Sequence, residues 1–242
     1  MRSDFGSSTL VRLLGDWTPV EADASAMDFA ERLSLWLNAF DAIGLQAAHQ
    51  AIRAIDAPAP ARPRSGRAPT AADLAADVQR VRGALAHAIA QSPSPLDLAE
   101  AEDGSFQPYH HRHLALQRQM EQLISGLRDH VRQAISRAST ALRQLAALDA
   151  ALEQTLAARE QALMPTTAGL LQRRFEQLRQ AHRQALDAAG APDDPARWRA
   201  PGGWLAAFEP QWREALLAEV DLRLEPVKGL VEALDNASKQ QA

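Results

Sequence analysis

The strongest constraint on the fold is the stretch from Leu114 to Met164, which has no proline and only one glycine, Gly126. Apolar residues recur along it at intervals of three and four, the spacing that places side chains on one face of an α-helix. From Met120 onward the spacing follows heptads, as in helices that pair with other helices. The residues of this heptad seam are Met120, Ile124, Leu127, Val131, Ala134, Ala138, Ala141, Leu145, Leu148 and Leu152. The sequence therefore predicts one long helix that contacts a protein partner or a second copy of the chain through the seam.

A second helix is predicted directly after the first. Pro165 is expected to end the long helix and Gly190 to end the next one, because proline disrupts a helix and glycine commonly follows its last turn. The two helices, about residues 108–189, should form an antiparallel hairpin. A helix of about fifty residues is roughly 75 Å long, whereas a compact chain of this length is only about 45 Å across. The sequence thus predicts an all-α, elongated helical bundle built on a long antiparallel coiled-coil-like hairpin.

The remaining segments fit the same all-helical organisation. Ala and Leu dominate the composition and β-branched residues are sparse, so strands are not expected. Residues 1–56 are predicted to form N-terminal helices, and residues 57–69 a Pro/Arg-rich linker. A helical domain follows over residues 70–242, in which Thr70, with Asp73 three residues on, is expected to start the first helix.

The end of the helical domain is rich in aromatic residues. Their expected role is a small core that packs this tail onto the hairpin, because large aromatic side chains gain most by burial. Pro210 and Pro226 are each expected in the first turn of a short helix. The aromatic residues concerned are Trp198, Trp204, Phe208 and Trp212.

Charge is unevenly distributed along the chain. Residues 1–109 hold 9 basic and 14 acidic side chains, residues 110–183 hold 11 and 6, and residues 184–242 hold 6 and 10. A basic middle suits acidic flanks that fold onto it, and it equally suits an acidic partner. A nucleic-acid-associated protein that uses the basic linker and hairpin is therefore an alternative. It is less favoured, because the linker arginines have no interleaved aromatic residues.

The segment FQPYHHRHLALQRQM, residues 106–120, places three histidines and an arginine at the start of the long helix. His110 and His113 share a helix face, so a metal-dependent helical enzyme built on this pair is a second alternative. We instead predict a cationic surface that faces the acidic residues 100–103 and raises the histidine pKa values above about 6.5. This surface comprises His110, His111, Arg112 and His113.

Local motifs for catalysis are missing from the sequence. It has no cysteine, no glycine-rich phosphate loop and no GxSxG or HExxH motif. We therefore predict no catalytic residue, no metal ligand and no cofactor, and favour a non-enzymatic scaffold or adaptor that acts through helix–helix contacts. The N-terminus lacks the apolar run of a signal peptide, and no run of eighteen apolar residues occurs, which predicts a soluble cytoplasmic protein.

Four segments together resemble a known family. LVRLLGDW, FAERLSLWLNAFDAIGLQAA, FQPYHHRHLALQRQM and LAALDAALEQTLAAREQAL, in this order, look like a proteobacterial family of helical proteins catalogued as a domain of unknown function. The resemblance covers most of residues 5–180. It carries over no activity, cofactor or catalytic residue. Genes of that family often lie beside those for coiled-coil membrane proteins and envelope proteins, so the resemblance implies a cytoplasmic accessory to an envelope-associated assembly.

Overall fold

The computed structural model describes residues 8–17, 39–55, 68–91 and 104–241. Residues 57–67 of the predicted linker and the acidic residues 100–103 lie outside this part of the chain. Every regular element in the described ranges is a helix, which confirms the predicted all-α class. The elements are α1 (Thr9–Trp17), α2 (Ala39–Arg53), α3 (Ala71–Ala90), α4 (Gln107–Ile135), α5 (Thr140–Ala189), a 3₁₀ turn (Pro195–Arg197) and α6 (Trp204–Gln241). None of these helices combines the length and apolar character needed to cross a membrane.

The described helices contribute to two compact units. The first unit contains α1, α3 from Arg82, α4 up to Leu123, the part of α5 that starts at Leu163, and α6 up to Arg223. The second contains α2 and the complementary parts of α3, α4, α5 and α6.

The predicted long helix is interrupted, which corrects the hairpin expected from the sequence. Helix α4 ends at Ile135 and α5 begins at Thr140. The Ser136 hydroxyl donates a hydrogen bond to the Arg132 carbonyl oxygen (2.6 Å), and the Ser139 hydroxyl oxygen accepts one from the Leu142 amide (3.2 Å). These two serines satisfy backbone groups that a helix end leaves unpaired. The chain therefore reverses at residues 136–139, without a glycine or proline.

Three prolines that were expected to bound helices lie inside them. Pro165 falls within α5, and both Pro210 and Pro226 fall within α6, so the expected helix end at Pro165 and the expected short tail helices were wrong. An internal proline removes one backbone hydrogen bond and kinks a helix, but long helices that are packed on neighbours accommodate it.

The first unit has an aromatic core. Phe208 lies 5.2 Å from Tyr109 and 5.1 Å from Phe175 between ring centroids, both in edge-to-face arrangement. Trp212 is fully buried against Tyr109, at 5.8 Å. Trp204 packs edge-on against Phe175 at 4.9 Å. The prediction that the aromatic tail packs on the preceding helices is thus confirmed within this unit.

The second unit has an aliphatic core and a capped helix start. Asp73 accepts a hydrogen bond from the Thr70 amide (2.8 Å), and the Thr70 hydroxyl oxygen accepts one from the Asp73 amide (3.2 Å). This reciprocal pair is a capping box, and it fixes the start of α3 where Thr70 was predicted to begin a helix. The buried residues that follow from α3, α4, α5 and α6 are Leu74, Val78, Leu127, Val131, Ile135, Leu142, Ala146, Leu224, Val227, Leu230 and Leu234.

The start of α6 depends on a glycine. The Trp198 carbonyl oxygen accepts hydrogen bonds from the backbone amides of Leu205 (3.0 Å) and Ala206 (3.2 Å), so it caps the first turn. A Cβ atom on Gly203 would lie only 2.2 Å from that same carbonyl oxygen. Only a residue without a side chain allows the loop backbone to approach the helix this closely.

Replacing Gly203 by alanine is expected to destabilise the protein by roughly 2–3 kcal/mol, because the capping carbonyl must move. The matched control is Gly229→Ala, at an exposed position in the interior of the same helix, where a Cβ meets nothing within 4 Å. That change should stabilise the protein by about 0.5–1 kcal/mol. Urea unfolding of both variants measures the difference, and a shift of the same sign in the two would contradict this account of the α6 start.

Candidate functional site

The first half of the heptad seam lies in the core of the protein. Met120, in the first unit, and Ile124, Leu127 and Val131, in the second, are all buried. These residues pack within the chain itself, so this half of the seam is not an exposed contact surface.

The second half of the seam changes register because the chain reverses. Ala134 is half-buried, and Ala138 lies exposed in the turn rather than on a helix face, which corrects its predicted role in close helix contact. Beyond the turn, Leu142 and Ala146 are buried in place of the expected seam residues. The expected seam residues form an accessible stripe on α5, named the leucine face below: Ala141, Leu145, Leu148 and Leu152.

Ion pairs join α4 to α5 across the turn. Arg128 contacts Asp149 at 2.6 Å, and Arg132 contacts Asp149 at 2.6 Å and Glu153 at 2.7 Å. The side chains of both arginines and of Asp149 are at most 15% exposed. Burial alone would raise the pKa of Asp149, but the hydrogen bonds and charges of the two arginines outweigh it and lower that pKa below its usual value. Asp149 therefore stays ionised, and its stabilisation is lost only as pH falls below its unfolded pKa of about 3.9.

The predicted cationic surface at the start of α4 is only partly exposed. His111 is exposed, and His110 and Arg112 are half-buried. His110 lines an open cavity of about 340 Å³ beside Glu176 and Arg179. His113 instead has no exposed surface, so its assignment to a cationic surface was wrong. The helix turns His113 inward, towards α6.

His113 belongs to a buried polar cluster in the first unit. The Gln117 amide donates hydrogen bonds to Glu219, at 3.1 and 3.3 Å, and Arg223 donates to the same carboxylate at 2.8 and 3.0 Å. Gln117 and Glu219 are 4% and 5% exposed. Neither ring nitrogen of His113 has a hydrogen-bond partner among the described residues.

The charge state of His113 is also opposite to the prediction. Burial lowers its pKa to about 4, against the raising effect of the Glu219 charge and with the help of the charges on His110 and Arg223. The imidazole is therefore neutral at pH 7. Within the described residues, no group of three or more His, Asp or Glu side chains is arranged to hold a metal ion.

Comparison with known protein families shows which family this chain belongs to. A family model described as protein of unknown function (DUF3348) matches residues 1–236. The chain belongs to this family. The predicted membership of a family with a domain of unknown function is confirmed. No curated protein and no solved structure matches the chain.

The burial of His113 and of Glu219 was not predicted from the sequence of this DUF3348 chain. The sequence does contain a signal for His113. Continuing the heptad spacing backward from Met120 passes Leu116 and reaches His113 and then Tyr109, which are both buried. A polar residue at a core position of a seam indicates a buried role. Glu219 had no comparable signal, because its partners lie about a hundred residues earlier in the chain.

For this DUF3348 chain, Asp149→Asn is expected to lower the free energy of unfolding by about 3 kcal/mol, because it leaves two buried arginines with too little opposite charge. The matched control is Glu225→Gln, which removes the partner of Lys228 (2.7 Å) from a pair in which the glutamate is 62% exposed. The control should change stability by no more than about 0.5 kcal/mol. Urea unfolding at pH 7 measures both, and equal losses would show that the α4–α5 ion pairs are not structurally important.

Proposed function

We propose that this chain is a non-enzymatic adaptor that binds a helix of another protein through the leucine face of its second unit. The observation that carries the proposal is the exposure of that face. Leu148 is 42% exposed, Ala141 is exposed, and Leu145 and Leu152 are half-buried. An apolar stripe with heptad spacing that the described residues leave partly accessible is typical of a surface that binds a partner.

Two other sides of α5 make contacts within the second unit. One side carries Asp149 and Glu153, which pair with α4. The opposite side faces the end of α2, where the Gln144 amide donates to the carbonyl oxygen of Ile55, two residues beyond the helix, at 3.3 Å. At 3.6 residues per turn, the leucine face lies between these two sides. The stripe is therefore neither the ion-paired side nor the α2 side, and it remains accessible.

Helix α2 leaves room for a partner beside α5. None of residues 41–53 is buried, and Ile43 is 64% exposed. A cavity of about 240 Å³ separates part of α2 from α5, lined by Asp41, Gly44, Ala48, Ala151, Gln154 and Thr155. The described side chains of α2 are therefore only partly packed, and a further apolar element that binds next to them would add packing.

The spacing of the leucine face defines the chemistry of the partner. Positions 141, 145, 148 and 152 extend for about 16 Å along the helix and carry no charge. A second amphipathic helix with apolar residues at heptad positions matches such a stripe. We further expect that the partner belongs to an envelope-associated assembly and that the adaptor works in the cytoplasm, as the resemblance to the family implies.

The alternatives of an enzyme and of a nucleic-acid-binding protein have less support. The two histidines considered as metal ligands lie in different environments, because His113 is buried and His110 lines a surface cavity. Two arginines of the basic hairpin that was expected to contact nucleic acid, Arg128 and Arg132, are largely buried and paired with carboxylates. Their charge is therefore used within the fold.

Site-specific photo-cross-linking in the native host tests the adaptor function. A photoreactive residue in place of Leu148 is expected to form an adduct whose cross-linked peptide maps to a helical segment of another protein. The control position is Leu222, which is 44% exposed on the first unit. It should not form that adduct. Adding Leu145→Asp should abolish the adduct, since a charge in an apolar helix contact is costly.

Two outcomes would contradict the adaptor. One is the same set of adducts at positions 148 and 222, which would show that the leucine face has no specific partner. The other is an adduct made solely with a second copy of the chain, which would replace the adaptor by self-association.

A further inference from the structure

We infer that His113 is an acid-sensitive lock between α4 and α6 in the first unit, and that its protonation opens this contact. The imidazole has no exposed surface, and neither ring nitrogen finds a hydrogen-bond partner in the described ranges. Burying a neutral imidazole without a hydrogen bond costs a moderate amount of folding free energy. Burying a charged imidazole without an acceptor costs much more.

The position of His113 in α4 makes it suitable as a lock. One turn before it, the Tyr109 hydroxyl donates to Glu209 of α6 at 2.7 Å. One turn after it, the Gln117 amide donates to Glu219 of α6 at 3.1 Å. His113 therefore lies between two polar contacts that join the same two helices. A charge that forces these helices apart at its own position strains both contacts.

The groups around His113 do not accommodate a proton in place. The charged groups that face it are His110 on α4 and Glu219 and Arg223 on α6. Glu219 already accepts hydrogen bonds from Gln117 and Arg223. A protonated His113 would have to displace one of these donors or reach water. Either change requires α4 to separate locally from α6.

The direction of the pH effect follows from the two protonation states. The pKa of His113 is about 4 in the closed state, and a ring exposed to water has a pKa of about 6.5. The open state therefore binds the proton more tightly than the closed state. The closed contact is fully stable above about pH 6.5, and its stability declines as pH falls from there towards 4. Asp149 does not contribute in this range, because its pKa is lowered below its usual value.

Hydrogen exchange of the full-length protein at pH 7.5 and pH 5 tests the lock, with rates corrected for the intrinsic effect of pH. Between these values, the two pKa values predict about a thirtyfold fall in protection of amides in residues 109–120 and 208–223. Residues 127–135 and 227–234, in the second unit, should keep their protection. In His113→Phe, the thirtyfold change should disappear.

The matched control is His111→Phe, which alters the exposed neighbour and should leave the acid response intact. If His113→Phe does not fold, His113→Leu replaces it. Histidine-selective NMR of the unchanged protein gives a second readout, in which the His113 ring should titrate well below pH 6, because the closed state holds it neutral. Equal protection at both pH values, or an acid response that persists without His113, would overturn the inference.

Discussion

The buried ion pairs between α4 and α5 are the contacts on which the rest of the second unit depends. Arg128 and Arg132 project from α4 towards Asp149 and Glu153 of α5, with the reversal at residues 136–139 between them. Removing such charges from water is costly, and the cost is offset only when each charge meets its partners at short distance. The geometry that satisfies both arginines is one in which α5 folds back along α4. The pairs are therefore satisfied only when the chain reverses between the two helices.

The reversal determines which apolar residues remain accessible. Leu127 and Val131 of α4 are covered by the chain itself. On α5, the ion-paired side and the side next to α2 are used within the unit, and Leu148 is left 42% exposed. One continuous helix would have presented a single long seam to a partner. The folded-back arrangement instead divides the seam into a core half and an accessible half, and the adaptor proposed here rests on the accessible half.

Sequence patterns over a few residues correctly predicted the features that depend on neighbouring residues. The helix start at Thr70, the all-α class and the burial of the aromatic tail all follow from spacing, propensity and side-chain size. The reversal near Ser136 and Ser139 was missed, because alanines there continue the heptad spacing and no glycine or proline marks a turn. Its decisive contacts join residues 17 to 25 positions apart, which periodicity does not detect. His113 was misassigned for a similar reason, since Glu219 and Arg223, whose charges act on it, lie on a helix about a hundred positions later.

A distance measurement across the reversal tests the central claim most directly. The chain has no cysteine, so Ser125→Cys and Ala150→Cys, both at exposed positions of the second unit, introduce two unique sites for spin labels. Adjacent packed helices have axes roughly 8–10 Å apart, so the folded-back arrangement predicts a separation between labels below about 20 Å. An uninterrupted helix would place the two positions about 37 Å apart. A pulsed electron paramagnetic resonance distribution centred on the shorter distance is the expected result, and one centred near the longer distance would contradict the account.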